Sequence, residues 1–267
     1  MSSLTLTLLQ TFLHWEDRPA NLAHVEKMIH SIEGTTELVI LPELFSTGFS
    51  MKPEFLSETM QGTTVSWMKK KAAERNVILT GSVMIQEEGR YYNRLLWVLP
   101  NGELGYYDKR HLFGFAGENE HYTAGTRRLV ATVKGWRILL LVCYDLRFPV
   151  WSRQTVAASR ENAEPEYDLI IYVANWPERR NHAWKTLLQA RAIENQCYVA
   201  AVNRIGNDGH SIYHSGDSML VDPLGEVMAT VANDPWVYTH TLQKEQLLLI
   251  RKQFPFLRDA DQFLIKT

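Results

Sequence analysis

The sequence predicts an α/β fold with a mixed sheet. Three observations carry that expectation: short, nearly uninterrupted apolar runs recur along the chain, segments with apolar residues at helical spacing separate them, and two connections read as tight hairpins. Runs such as "ELVILPE" and "RILLLVCYD" do not alternate with polar residues, so both faces of those strands need covering. A helical layer on each side of one sheet, or two sheets stacked face to face, would cover them. The chain has 267 residues, 45% of them hydrophobic, which is enough for a sizeable core. With no linker, low-complexity tract or fixed-period repeat, one domain spanning residues 1–267 is the expectation.

From the N-terminus, Leu4–Leu9 alternates with threonines as a strand does, and Arg18–Ile32 carries Leu22, Val25, Ile29 and Ile32 on one helical face. "ELVILPE" is the next strand. Val65, Met68 and Ala72 mark a second helix, with Thr64 as its cap. "VILTGSV" is another strand, and "LLWVLPNGELGYYDK" reads as a hairpin in which Asn101 and Gly102 take positive backbone angles. Two buried strands, "RILLLVCYD" and "YDLIIYVANWP", flank a polar, helix-permitting segment from Trp151 to Glu166. Trp184, Leu187, Leu188 and Ala192 line a third helix, and "YVAAVNR" is a further strand. "SMLVDPLGEVMA" is a second hairpin, turning at Asp222–Gly225. Leu242–Phe254 reads as a last helix, before an apolar tail, "FPFL".

Composition narrows the function. The formal charge of −2 and the lack of a lysine- or arginine-rich block argue against nucleic acid and acidic membrane surfaces as partners. No stretch approaches the length of a membrane span, and the N-terminal run lacks a basic flank and is too short for a signal peptide. The 2 cysteines, Cys143 and Cys197, are too few for a disulfide framework or a CxxC-type zinc site, which suits a reducing cytoplasm.

Three strand ends carry reactive groups: "VILPE" ends on Glu43, "GYYDK" on Lys109 and "LLLVC" on Cys143. Ligands of open α/β folds collect beyond the carboxyl ends of strands. A thiol, a carboxylate and an amine there suit nucleophilic acyl transfer. The thiol needs a base or a nearby cation. Glu43, desolvated beside it, is suited to general-base work. Lys109 would hold the thiolate and then the oxyanion, with the Tyr144 N–H as a second donor. Each residue alone has a plainer reading. A cysteine after an apolar run is more often inert core, Glu43 a solvated strand end, and Lys109 in "DKRH" a solvated loop. His111, His121 and His182 lack ligand spacing, so no metal is expected.

Together, "LPELFSTGF", "YDKRHLF" and "LLLVCYDLRFP" resemble, in order, the three active-site motifs of the carbon–nitrogen hydrolase (nitrilase) superfamily. The likeness continues through "ANWP", "ARAIENQCYVAAVNRIG" and "GDSMLVDPLGE", and is nearest to the ω-amidase branch. It implies a four-layer α-β-β-α sandwich with mixed sheets, association into a homodimer, and neither metal nor organic cofactor. Carried over by position, the base is Glu43, the lysine Lys109 and the nucleophile Cys143. A second family glutamate, seven residues before a glycine, falls on Glu118 ahead of Gly125, with Glu120 the lesser match. The implied activity is hydrolysis of the terminal amide of small ω-amides of dicarboxylic or 2-oxo acids, through a thioester, in the cytoplasm. N-carbamoyl amidase or nitrilase chemistry on the same triad, a metal-dependent hydrolase, and a non-catalytic binding module are the alternatives.

Around the triad, Phe45, Tyr144 and Trp176 are candidate pocket walls, and Asn175 and Trp176 end a strand that could face substrate. Arg147 either pairs with Asp145 or a helix end, or grips a substrate carboxylate. Arg191 and Glu194, three apart on a helix, read as a structural pair, Cys197 as inert, and the aromatics of "WPERRNHAW" as candidates for a dimer interface.

Overall fold

The structure, a computed structural model, describes residues 2–154 and 165–265. In chain order its strands are β1 (Ser3–Gln10), β2 (Leu38–Ile40), β3 (Ile78–Glu87), β4 (Arg90–Val98), β5 (Leu104–Asp108), β6 (Val130–Val133) and β7 (Trp136–Val142). There follow β8 (Leu169–Ala174), β9 (Tyr198–Asn203), β10 (Ile205–Asn207), β11 (Tyr213–Val221), β12 (Val227–Ala232) and β13 (Trp236–Gln243). The longer helices are α1 (Arg18–His30), α3 (Thr63–Arg75), α6 (Asn181–Asn195) and α7 (Lys244–Gln253). Single turns form α2 (Pro53–Leu56), α4 (Glu118–His121) and α5 (Pro149–Ser152).

The strands form two mixed sheets. The first has the order β13-β1-β2-β3-β4-β5, with β1, β2 and β3 parallel and the rest antiparallel. The second has the order β10-β11-β9-β8-β7-β6, with β12 on β11 and β7, β8 and β9 parallel.

Alternation along β2 shows how the layers stack. Leu38 and Ile40 join Leu4, Leu6 and Leu8 in one core with the second sheet, whereas Val39 joins Val25, Ile29 and Met68 of α1 and α3 in another. On the second sheet, Trp184, Leu188 and Ala192 of α6 and Leu247 of α7 complete the larger core. The fold is therefore an α-β-β-α sandwich: stacked sheets, rather than one doubly covered sheet, bury the apolar runs. Each fully buried Leu, Ile or Val contributes roughly 1.5–3 kcal/mol. Among the described residues no helix is long and apolar enough to cross a membrane.

Several local expectations need correction. Thr64 does not cap α3. Gly62 precedes the helix, and the Glu58 carboxylate accepts from the N–H groups of Thr64 (3.0 Å) and Val65 (2.9 Å). Contacts to β3 hold Glu58 there, through Glu58 N–H to Met84 O and Gln86 N–H to Glu58 O. In the first hairpin only Gly102 takes a positive φ (85°), while the Asn101 side chain accepts from the Glu103 N–H at 3.0 Å. The last helix begins at Lys244, because Leu242 is still in β13, paired with Leu4 and buried. The segment from Trp151 to Glu166 starts in α5, but its middle, residues 155–164, lies outside the described residues. Trp176 and Trp184 are buried against each other, ring centroids 5.4 Å apart, so neither offers a surface for a second subunit. Arg191 and Glu194 do pair, at 3.0 Å, and Cys197 is fully buried.

Candidate active site

Glu43 follows β2 in a buried turn. Leu44, at φ 44°, bends the chain out of the sheet, and its N–H donates to Ser82 Oγ on β3 at 2.8 Å. The turn lies close on β3 because residue 81 is glycine: a Cβ there would fall 2.8 Å from the Leu41 Cβ. Lys109 follows β5 and stays in register with β4, its N–H donating to Asn93 O at 3.0 Å. Strand alternation points the Arg94–Asp108 ion pair (2.6 Å) to one face of the sheet and Asn93 and Lys109 to the other. The loop after β5 brings in Glu118 and returns through Gly125, whose N–H donates to Lys109 O at 2.9 Å. A Cβ at Gly125 would lie 2.0 Å from Asp108 O, so only glycine permits that approach.

These groups meet. Lys109 Nζ donates to Glu43 Oε1 at 2.9 Å and to Glu118 Oε1 and Oε2 at 3.0 and 2.8 Å, with all three side chains fully buried. Glu43 Oε2 accepts the Asn175 N–H at 2.7 Å, and the Asn175 amide donates to Glu43 O at 2.6 Å. Glu118 Oε2 also accepts the Phe113 N–H at 2.5 Å. Glu118 enters the site and Glu120 stays exposed. One ammonium thus serves two carboxylates. Burial weakens the Lys109 charge, but the Glu118 and Glu43 carboxylates outweigh it and hold Lys109 above its ordinary pKa. Burial pushes the Glu118 carboxyl up, Lys109 offsetting part of the shift while Glu43 adds to it.

Cys143 follows β7 at φ 42°, a left-handed conformation that costs a non-glycine residue about 1–3 kcal/mol. Asp145 holds that turn. Its Oδ2 accepts the Val142 N–H at 3.0 Å and the Tyr107 hydroxyl at 2.8 Å, and its Oδ1 faces the His111 N–H (3.0 Å) and Nδ1 (2.8 Å). The lysine loop and the nucleophile turn are thereby tied together. Burial, reinforced by the Glu43 carboxylate, pushes the Cys143 thiol well up, and Lys109 offsets only part of that. The resting sulfur is therefore a thiol, which must lose its proton to a base before it can act. The Lys109 hydrogen bonds run to the two carboxylates, not to a thiolate as the sequence suggested. Tyr144 lies in the first turn of the 3-10 helix Cys143–Arg147, where N–H groups have no partner within the helix.

Lys109 and Cys143 open onto a cavity of about 230 Å³. Tyr144, Trp176, Phe49, Phe113 and Phe115 wall it, and Asn175 lines it. Phe45 does not: its ring packs in the helix-side core near Gly81 and Trp67, because the bend at Leu44 turns it away from the site that Glu43 faces. Arg147 does not pair with Asp145, whose oxygens are taken by Val142, Tyr107 and His111. Its guanidinium lies over the Trp176 ring at 5.0 Å, on the cavity. Arg179 and Arg180 also line the cavity. Arg180 stands over the Phe113 ring at 5.0 Å, and burial, with Arg179 close by, lowers its pKa. None of the three arginines pairs with a carboxylate among the described residues. His214, also on the cavity, points Nδ1 at the Ile212 and Gly206 carbonyls (2.9 and 3.3 Å), so Nδ1 carries the proton, and burial pushes its pKa down to about 4. Among the described residues no three metal-ligating side chains converge.

Sequence reasoning missed Asn93, whose amide donates to Glu43 Oε1 at 2.8 Å and Glu118 Oε1 at 3.3 Å. A signal was present: Val98 pairs with Leu104, and counting outward along the hairpin puts Asn93 opposite Lys109. Arg179, Arg180 and the Phe113–Phe115 wall carried no such signal, since loops place them.

Residues 5–252 match the carbon–nitrogen hydrolase family model. The chain is 46% identical to an Escherichia coli (strain K12) protein named omega-amidase YafV, over 98% of this chain and 99% of that one. It is 29% identical to a Bacillus subtilis (strain 168) 2-oxoglutaramate amidase, over 96% of each chain. A crystal structure of XC1258 from Xanthomonas campestris, a CN-hydrolase superfamily protein with an arsenic adduct in its active site, superposes with a TM-score of 0.96 at 44% identity, covering 100% of both chains. The chain belongs to the carbon–nitrogen hydrolase family.

Proposed function

We propose that this protein is a cysteine-dependent amidase that hydrolyses the terminal amide of small ω-amides of 2-oxo dicarboxylic acids, such as 2-oxoglutaramate, to the acid and ammonia. The observation that carries the reading is the fully buried Glu43–Lys109–Glu118 cluster, which shares a cavity with Cys143 and three arginines that have no carboxylate partner among the described residues. The relatives named above act as support. A substrate with a carboxylate at its far end suits Arg147 and Arg180, whose planar forks bind carboxylates bidentately. The aromatic walls place those charges against apolar surface, which strengthens their interactions.

In this mechanism Glu43 takes the Cys143 proton as the sulfur forms its bond to the amide carbon. The carbonyl oxygen becomes an oxyanion, stabilised by the Lys109 charge and the Tyr144 N–H. Glu43 returns the proton to the nitrogen, the C–N bond breaks, and ammonia leaves. A thioester remains on Cys143. Glu43 then takes a proton from water, the resulting hydroxide attacks the thioester carbon, and the released sulfur recovers the proton. Glu118 orients Lys109 throughout.

A homodimer belongs to the same proposal: Val150, Ile193, Leu248 and Leu249 expose apolar side chains on α5, α6 and α7. A cytoplasmic site of action fits a nucleophile that must stay a reduced thiol. The test compares ammonia release from 2-oxoglutaramate, succinamate, a carbamoyl amino acid and a simple nitrile. 2-Oxoglutaramate turns over fastest, and Cys143→Ala abolishes release while the fold survives. Undiminished turnover by Cys143→Ala would overturn the chemistry. Turnover confined to the carbamoyl compound or the nitrile would overturn the substrate class.

A further inference from the structure

We propose that Tyr107 is a positioning residue: its hydroxyl, bonded to Asp145, sets the spacing between Lys109 and Cys143 and keeps the nucleophile turn in its working shape. The inference rests on the mechanism above, in which those two residues act on one carbonyl group.

Each reacting residue is straddled by groups that meet in this network. On the lysine side, Tyr107 stands two residues before Lys109, and its hydroxyl accepts the N–H of Arg110, one residue after, at 3.1 Å. On the cysteine side, Asp145 stands two residues after Cys143, and its Oδ2 accepts the N–H of Val142, one residue before, at 3.0 Å. The Tyr107 hydroxyl donates to that same Oδ2 at 2.8 Å, and so joins the lysine strand to the nucleophile turn. Trp151 of α5 adds its Nε1–H on the hydroxyl at 2.9 Å. The hydroxyl proton and both oxygen lone pairs are thereby used.

Packing does not explain the hydroxyl, since a phenylalanine would fill the same space. Tyr107 and Asp145 are both fully buried, which is costly for polar groups unless they are paired, and these are paired throughout. Burial and the Asp145 carboxylate hold the hydroxyl well above its ordinary pKa, so it stays a donor. Cys143, at φ 42°, needs such support, because a sparsely populated backbone conformation persists only where its surroundings fix it. Neither Tyr107 nor Asp145 lines the cavity, so both act through Lys109 and Cys143 and not on substrate.

The test uses Tyr107→Phe, which keeps the ring and removes the hydroxyl, and Asp145→Asn as a second route to the same bond. Thr7→Val is the control: it removes a buried β1 hydroxyl, bonded to Thr36 and Thr239, from a residue that does not line the cavity. The readouts are kcat and KM for 2-oxoglutaramate, the rate of Cys143 alkylation by iodoacetamide with Cys143→Ala as the blank, and the melting temperature. In Tyr107→Phe, kcat falls about 10- to 100-fold and alkylation about 10-fold, with KM within about threefold of wild type, as expected for reacting groups displaced by a fraction of an ångström. Asp145→Asn lowers both rates at least as far, because its NH2 group must face one of the donors that the carboxylate accepted. Thr7→Val lowers the melting temperature and leaves both rates at wild-type values. A Tyr107→Phe protein that behaves like this control would overturn the inference, and if Tyr107→Phe does not fold, the same behaviour of Asp145→Asn would do so. If wild-type protein released no ammonia from any amide but alkylation still fell in Tyr107→Phe, the substrate reading would fail and the Tyr107 assignment would stand.

Discussion

The two ends of β8 carry buried charge clusters of opposite composition. Before the strand, Asp168 accepts Lys244 Nζ at 2.9 Å, Arg251 Nη1 at 2.9 Å and Arg137 Nη2 at 3.4 Å, so three cations converge on one carboxylate. After it, Asn175 sits on Glu43, where two carboxylates converge on one lysine. Burial opposes ionisation of Asp168, but Lys244, the Arg137 N–H and Arg251 outweigh it and hold that carboxyl below its ordinary range. The same burial lifts Glu118 and the Cys143 thiol. A cluster rich in cations is a closed clamp, here joining β7 and β8 to α7. A cluster short of cations keeps acceptors for a proton, and it lies at the carboxyl ends of the strands, where α/β folds bind ligands.

Swapping carboxylates for amides separates the two ends. Glu43→Gln lowers turnover of the amide substrate by about 10³- to 10⁴-fold, measured as ammonia release, because Glu43 is the base that takes the thiol proton in the mechanism above. Its melting temperature holds or rises, since one of two competing carboxylates is gone. Asp168→Asn does the reverse. It removes the carboxylate that Lys244, Arg251 and Arg137 share and costs about 3–5 kcal/mol in chemical denaturation, while kcat per folded molecule is unchanged. A large loss of kcat in Asp168→Asn would end the division of labour drawn here.

A smaller effect comes at the edge of the catalytic cluster. Arg180→Gln raises KM for a carboxylate-bearing amide by about 10- to 100-fold, and leaves KM for a neutral amide of the same length within about threefold, in line with the roughly 1.5–3 kcal/mol of a charged hydrogen bond. Equal losses on both substrates would make Arg180 a packing residue.

The smallest effects lie in the pH dependence of stability. A carboxyl whose folded pKa is depressed, as at Asp168, contributes stability that is present above its unfolded pKa of about 3.9 and is lost as pH falls through the lower folded value. Asp168→Asn therefore flattens the acid side of the stability curve. Glu118 has the opposite sign: its folded pKa is raised, so its contribution is present below the unfolded value and is lost as pH rises through the folded one. Glu118→Gln should gain stability relative to wild type toward neutral pH, while turnover falls. Melting curves at a series of pH values check both, and parallel shifts in the two variants would contradict the contrast.

Glu43 and Cys143 were legible because each ends an apolar run, and Lys109 because it ends the return strand of a hairpin; the end of a strand is where chemistry can sit without breaking a core. Glu118 was legible only through its spacing from Gly125, which the fold explains by the close approach of that glycine to Asp108. Phe45 was misplaced because an apolar ring next to a reactive residue looks the same whether it walls a cavity or fills a core, and the backbone angle at Leu44 decides which. Thr64 was a reasonable cap by type, yet a carboxylate from a neighbouring segment took its place. The partner of Arg147 was undecidable because Asp145 was already committed to Tyr107 and His111, neither adjacent to it in sequence.

The sequence by itself determined most of the strands, the longer helices, the hairpins and the three reactive strand ends, since each follows from local hydrophobic period and turn chemistry, but it passed over β6, β10 and β13. Tertiary structure decided that two sheets stack instead of one sheet carrying helices on both faces, that one lysine serves two glutamates, and that Asn93 bridges them. Those outcomes depend on which chain segments, separated by tens of residues, come within hydrogen-bonding distance, and no local pattern encodes a distance of that kind.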